Sequence, residues 1–234
     1  VNYSSPVQIP GTNWKNLSYV NSNVALGAKV TKTDGTLWAW GRGDYGILGL
    51  NANTYYSSPT QVGTNTTWAI LAHNQGDENN VALATKTDGT LWSWGSGGAG
   101  APSVSGARGY NNASLGAVSS PIQVGRNTTW PKNKNQQWRL SAGKLQVGAI
   151  KTDGTLWTWG KNNGGQLGLN QNDDVGNPSG RSSPTQVGTD TTWSRLNASN
   201  VSFRAIKTDG TLWAWGYNQG GQLGQNAKVS LSSP

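Results

Sequence analysis

Short apolar runs with a period of two dominate this chain. VALATKT (81–87) and TLWSWG (90–95) both read as strands, and Asp88-Gly89 between them reads as a tight turn. The Asp-Gly pair predicts a two-residue type I′ hairpin, because Gly accepts positive φ without a steric penalty. Alternation sends Trp92 and Trp94 to one face and Leu91 and Ser93 to the other. KTDGTLWxWG starts at Lys32, Lys86, Lys151 and Lys207, so the hairpin is written four times. Its Trp pairs are Trp38/Trp40, Trp92/Trp94, Trp157/Trp159 and Trp213/Trp215, and its turn glycines are Gly35, Gly89, Gly154 and Gly210.

Two further markers repeat in fixed order around the hairpin. Ser-Ser-Pro occurs at Pro6, Pro59, Pro121, Pro184 and Pro234, mostly followed by xQV or xQI. Trp-x-x-Leu occurs at Trp14, Trp68, Trp138 and Trp193. A Gly/Asn-rich loop ending in Leu-Gly closes each unit, which gives one repeat region over 1–234 with units at about 4–56, 57–118, 119–181 and 182–234. In the first and fourth hairpins Ala separates the two Trp, so both faces of that strand can be buried. A small sheet covered on both faces at a period of roughly fifty residues is a blade, so the predicted fold is an all-β propeller. The paired Trp are its expected core, since each buried indole hides on the order of 200 Å². The repeat phase fits either a closed four-bladed ring or an arc of a larger one. An arc exposes apolar faces at both ends, so those faces are expected to be covered by more chain or by an assembly.

Composition narrows the classes. The chain has 234 residues, 34% of them apolar, with 33 Gly, 13 Trp, one Phe, no Cys and no Met. Absence of Cys excludes thiol chemistry and disulfide stapling, and suits an oxidising setting. No apolar run is long enough for a membrane helix, so no membrane insertion is expected. The net charge is +8, yet the basic residues are scattered apart from Lys132, Lys134, Arg139 and Lys144. Nucleic acid would need a denser patch. Lys32, Lys86, Lys151 and Lys207 sit two residues from the turn Asp and are expected to cancel it locally.

Catalytic groupings are sparse. His73 is the single His, which leaves no partner for a Ser nucleophile. Asp77-Glu78 and Asp173-Asp174 are adjacent pairs whose side chains diverge on extended backbone. NQNDDVGN lacks the ligand spacing of a calcium loop, and GSGGAG at Gly95 lacks the Lys-Ser/Thr and helix of a phosphate loop. No enzyme, cofactor or metal is expected. Recognition is sought instead in the irregularities of the repeat. The second unit carries SGGAGAPSVSGARGYN, with Arg108 and Tyr110; the third carries TTWPKNKNQQW, with Trp130, Lys132 and Lys134 outside the blade pattern; Tyr55 and Tyr56 precede a strand in the first. Aromatic and basic residues on loops are the types that dominate interfaces, so these seven are the candidate binding residues.

NNGGQLGLN from Asn162 and NQGGQLGQN from Asn218, with the SSPxQV, WxxL and KTDGTLWxWG segments in order, resemble the regulator of chromosome condensation repeat family. DYGILG from Asp44 and NNASLG from Asn111 are the variant forms in the first two units. Gln146 and Ser202 stand where the family often has His, and His73 is off that register. The resemblance implies a propeller of four-stranded blades, commonly seven, and a wide range of roles. The near-identical repeats are similar to its bacterial and phage branch. The expected function is a non-catalytic structural and recognition module of a phage virion appendage or bacterial extracellular surface, binding a protein or a host-surface glycan beside other subunits of an assembly. A secreted protein inhibitor is the alternative, and a guanine-nucleotide exchange or chromatin-binding factor the third.

Overall fold

The computed structural model describes residues 4–18, 20–21, 27–75, 81–96, 106–111, 116–171 and 180–234. Asp77, Glu78, Asp173, Asp174 and most of the GSGGAG run lie outside them. The described residues form an all-β molecule of antiparallel sheets stacked as successive blades of a propeller. The first blade orders Trp14–Leu17, Ala28–Lys32, Leu37–Gly41 and Tyr56–Gln61; the second orders Trp68–Leu71, Val81–Lys86, Leu91–Gly95 and Val118–Gln123. The third has Leu140–Ala142, Gln146–Ile150, Leu156–Lys161 and Gly180–Gln186. In the fourth, Trp193–Ala198, Ser202–Lys207 and Leu212–Gly216 pair, and only the bridge Gly216 to Leu231 stands where a fourth strand would run. Each blade therefore takes its Ser-Ser-Pro strand from the start of the next sequence unit.

Two short strands, Val20–Asn21 and His73–Gln75, join the third sheet in parallel through Ser141 and Ala142. They follow the Trp strands of the first and second blades, so the blades are stitched together along that inner edge. The core falls into three clusters, one per junction between successive blades. At each junction the Leu that follows the turn (Leu37, Leu91 or Leu156) meets the second Trp of the next hairpin (Trp94, Trp159 or Trp215). Burying one such Leu and one such Trp removes enough apolar surface to stabilise by several kcal/mol before entropy is counted, at ~25 cal/mol per Å².

The two ends of the stack differ from the junctions. Leu212 is 66% exposed where its three counterparts are fully buried, and Leu17 is 71% exposed where Leu71, Leu140 and Leu196 are buried. Four blades thus make an open arc with a bare Leu face at one end and a bare Trp face at the other.

Candidate functional site

The hairpin turn fixes the position of the first indole. Asp34 Oδ1 accepts the Thr36 amide at 2.9 Å and the Thr36 hydroxyl at 2.7 Å, and Trp38 Nε1 donates to that hydroxyl at 2.8 Å. The same relay recurs from Asp88, Asp153 and Asp209. The hydroxyl of Thr36 is the main influence holding the Asp34 carboxyl below its usual range. Gly35, Gly89, Gly154 and Gly210 have φ of 79°, 81°, 83° and 86°, as expected of glycine turns. The type I′ expectation is corrected, however. Asp34 is absent from the left-handed residues, and Gly35 donates to Lys32 O while Lys32 donates to Thr36 O. The loop is Thr33-Asp34-Gly35, a type I turn with a left-handed third residue. Asp capping of the Thr amide favours negative φ at Asp, and that decides against the two-residue form.

The hairpin lysines do not simply cancel the turn Asp. Each ammonium lies over two indoles: Lys86 is 4.9 Å from the Trp68 ring and 3.8 Å from Trp92, and Lys151 is 5.0 Å from Trp130 and 3.7 Å from Trp157. Lys32 and Lys207 do the same in the outer blades. Desolvation of the buried stem lowers Lys86 and Lys151, with the turn Asp opposing. A cation over an indole face is worth roughly 0.5–2 kcal/mol, rising with desolvation. The first Trp of each pair (Trp38, Trp92, Trp157, Trp213) is accordingly half-buried against its own unit, not between blades. Trp94, Trp159 and Trp215 are the ones sealed in the junctions.

Trp130 and Trp138 exchange roles relative to the sequence reading. Trp130 is 1% exposed and meets Trp157 and Trp159 at 6.2 and 6.1 Å, the places Trp68 and Trp193 hold in their own blades. Its amide donates to Gly89 O as that of Trp68 does to Gly35 O. Trp130 is therefore withdrawn as a binding residue. The missed signal is QVGx[N/D]TTW at 61–68, 123–130 and 186–193, which puts Trp130 in register. Leu140 then supplies the Leu, and 131–139 is an insertion between the two.

Arg108 and Tyr110 are also corrected. Trp94 Nε1 donates to Ile47 O, Trp159 Nε1 to Ala107 O and Trp215 Nε1 to Gln166 O, so Ala107-Arg108-Gly109 is the second unit's counterpart of Ile47-Leu48-Gly49 and Gln166-Leu167-Gly168. Arg108 occupies a Leu position, is buried, and donates to the carbonyls of Gly95 and Gly116. Tyr110 donates to Ser93 O, and burial pushes its phenol up to about 12. Neither residue is on an exposed loop. The missed signal is G-x-x-G-x-N at 46–51, 106–111, 165–170 and 221–226. Its last Asn is left-handed each time, with φ between 53° and 57°.

Gln146, at the family's His position, is a junction residue: its amide donates to Ser199 O and Asn200 O of the next blade at 2.9 and 3.0 Å. Tyr56 lies half-buried in a strand, packed against the first junction. Tyr55 is exposed and donates to Asp44, which is ion-paired with Arg42. Lys132 and Lys134 are exposed on the 131–139 insertion. Within it Lys134–Arg139 is a 3₁₀ segment, and Arg139 anchors it by donating to Lys151 O at 3.0 Å. Trp138, 46% exposed, stacks on His73 at 4.9 Å with the planes 13° apart. Burial lowers His73, so a neutral imidazole faces the indole near neutral pH. A groove of about 170 Å³ runs beside it, lined by Lys15, Asn16, Ile70, His73, Lys134 and Gln137 among others, with no carboxylate in its wall. Lys132 and Lys134 thus sit together with Trp138 and His73, which sequence reasoning had not chosen, while Tyr55 and Tyr56 are remote members. Among the described residues no three His, Cys, Asp or Glu side chains group as a metal site.

The model of the regulator of chromosome condensation (RCC1) repeat matches residues 34–80, 153–198 and 209–234. The RCC1 domain-containing protein RUG3, mitochondrial, of Arabidopsis thaliana is 27% identical over 208 residues, covering 86% of this chain and 42% of that protein. The ultraviolet-B receptor UVR8 of the same plant is 26% identical over 196 residues, covering 84% and 40%. Yeast RCC1 (Prp20), solved bound to Kap60, superposes with a TM-score of 0.77 at 18% identity, covering 98% of this chain and 50% of that one. The chain thus spans half or less of the length of these proteins.

Proposed function

The chain belongs to the RCC1 repeat family, and from that premise we propose that it is a non-catalytic recognition module that takes an acidic segment of a protein partner at the 131–139 insertion. The observation that carries this is the exposed Trp138 stacked on His73 beside a carboxylate-free groove rimmed by Lys15 and Lys134. An indole anchor beside ammonium groups suits a peptide that alternates aromatic and acidic side chains. The repeated polar residues are otherwise spent on holding blades together, which leaves the insertion as the irregular feature. Protein binding agrees with the yeast RCC1 structure, which was solved with Kap60.

The setting belongs to the same proposal: a virion appendage or a bacterial extracellular surface, supported by a chain without Cys or Met and with nearly uniform polar repeats. Co-purification with a particle of fixed symmetry is the observation that tests it.

The binding reading is tested with a fluorescent Glu/Tyr-rich peptide and anisotropy. Wild type is expected to bind, with Trp138→Ala and Lys134→Glu each weakening binding about tenfold, the range of a hot-spot residue. Equal binding by all three proteins, or tighter binding of a neutral oligosaccharide indifferent to Lys134→Glu, overturns it.

A further inference from the structure

We propose that the bare end of the fourth blade is a docking site for the first blade of a second copy of this chain, joined head to tail. The inference is independent of the peptide groove. It rests on the three internal junctions, each of which shows what the two bare faces lack.

At a junction, the Leu after the turn of one blade and the Leu of the next blade's Trp strand are both buried. Leu212 and Leu17 are the two members of that set left open, at 66% and 71% exposure. The turn glycines tell the same story. A Cβ on Gly35, Gly89 or Gly154 would meet a Thr carbonyl of the following blade at 1.9–2.0 Å, whereas one on Gly210 would meet nothing within 4 Å. Trp68, Trp130 and Trp193 donate their amides to Gly35, Gly89 and Gly154. Trp14 is the fourth Trp of this type, and Gly210 O is the fourth acceptor. Trp94, Trp159 and Trp215 each find a loop carbonyl of the preceding blade, and Trp40 is their counterpart in the blade that has none before it.

The strand edge agrees with the faces. Trp38 pairs with Gln61, Trp92 with Gln123 and Trp157 with Gln186, and the following Val donates to Leu37, Leu91 or Leu156. No described residue fills those places beside Trp213 and Leu212. Val7, Gln8 and Ile9 carry the same pattern, and they run exposed without a strand partner. Pairing Gln8 of one copy with Trp213 of the other, and Ile9 N–H with Leu212 O, completes the fourth blade by strand addition. It also delivers Trp14 to the Gly210 turn. A cleft of about 220 Å³ lined by Arg204, Ile206, Leu212 and Trp138 is available on this face for the incoming apolar side chains. Arg204 does not forbid the junction, because Lys29 occupies the same register in the first blade and is buried by the second.

Such an interface is heterologous, so it propagates or closes into a ring instead of pairing one patch with itself. The test is sedimentation velocity on the 234-residue chain over a wide concentration range. Wild type is expected to associate reversibly. Leu17→Glu and Leu212→Glu each change an exposed side chain, so folding, checked by circular dichroism, should survive while association is lost. Ile9→Pro should weaken association by removing one donor. A mixture of Leu17→Glu with Leu212→Glu retains one intact pair of faces and should give a dimer and nothing larger. A monomeric wild type, association unaffected by both Glu variants, or a mixture that stays monomeric would overturn the proposal.

Discussion

The indole of Trp159 donates to the carbonyl of Ala107 at 2.8 Å, across the junction between the second and third blades. This bond aligns the second unit with the others and places Arg108 where Leu48, Leu167 and Leu223 stand. Arg108→Ala should therefore destabilise by about 1–3 kcal/mol, by removing a hydrogen-bonded guanidinium and leaving carbonyls unpaired. Arg108→Leu should cost less, because the site is a Leu site in every other unit. Urea unfolding midpoints decide it: equal midpoints for wild type and Arg108→Ala would mean a surface arginine.

A second contrast separates the two indoles of the third unit. Trp130→Ala should cost about 3–5 kcal/mol, the range for a fully buried aromatic, whereas Trp138→Ala should stay within about 1 kcal/mol. Thermal unfolding of the pair is the measurement. A larger loss from Trp138→Ala would reverse the assignment.

Much of the architecture is legible in the sequence because hairpin periodicity is local. KTDGTLWxWG carries its own turn, strand pair and face assignment, and four copies of it demand stacking. The site was harder to read because insertions break the spacing between markers without breaking the markers. Trp130 lost its place to Trp138 because the latter happens to stand two residues before Leu140, imitating the Trp-x-x-Leu word. Arg108 was obscured because one substitution removes the Leu-Gly signature that the backbone still obeys. Stacking of His73 on Trp138 joins residues from different blades, and no local pattern announces it.

The turn glycines give a third prediction, in which one chemical change has two sizes. Gly89→Ala places a methyl against the Thr128 carbonyl and also strains positive φ, so it should cost well over ~1 kcal/mol. Gly210→Ala meets open space and carries only the φ penalty, about 1 kcal/mol. The comparison belongs at dilute concentration, where junctions between copies are absent. Equal costs would show that packing of the next blade adds nothing at the turn.

Lys29 gives the last prediction, and its sign follows from burial. The side chain is enclosed at the first junction, and desolvation lowers its pKa to about 8. An unfolded lysine titrates near 10.4. Below pH ~8 both states carry the proton, so folding bears the whole cost of burying the ammonium. Between about pH 8 and pH 10.4 the unfolded chain binds more protons than the folded one, and stability from this group rises with pH across that window. Leu83 occupies the matching register in the second blade and is buried without such a cost. Lys29→Leu should then stabilise the protein at pH 7 by on the order of 2 kcal/mol and flatten the rise in stability above pH 8. Guanidinium unfolding at pH 7 and at pH 9.5 reads both effects. A destabilised Leu variant at pH 7, or an unchanged pH profile, would show that the ammonium reaches water and that the junction is looser than its packing indicates.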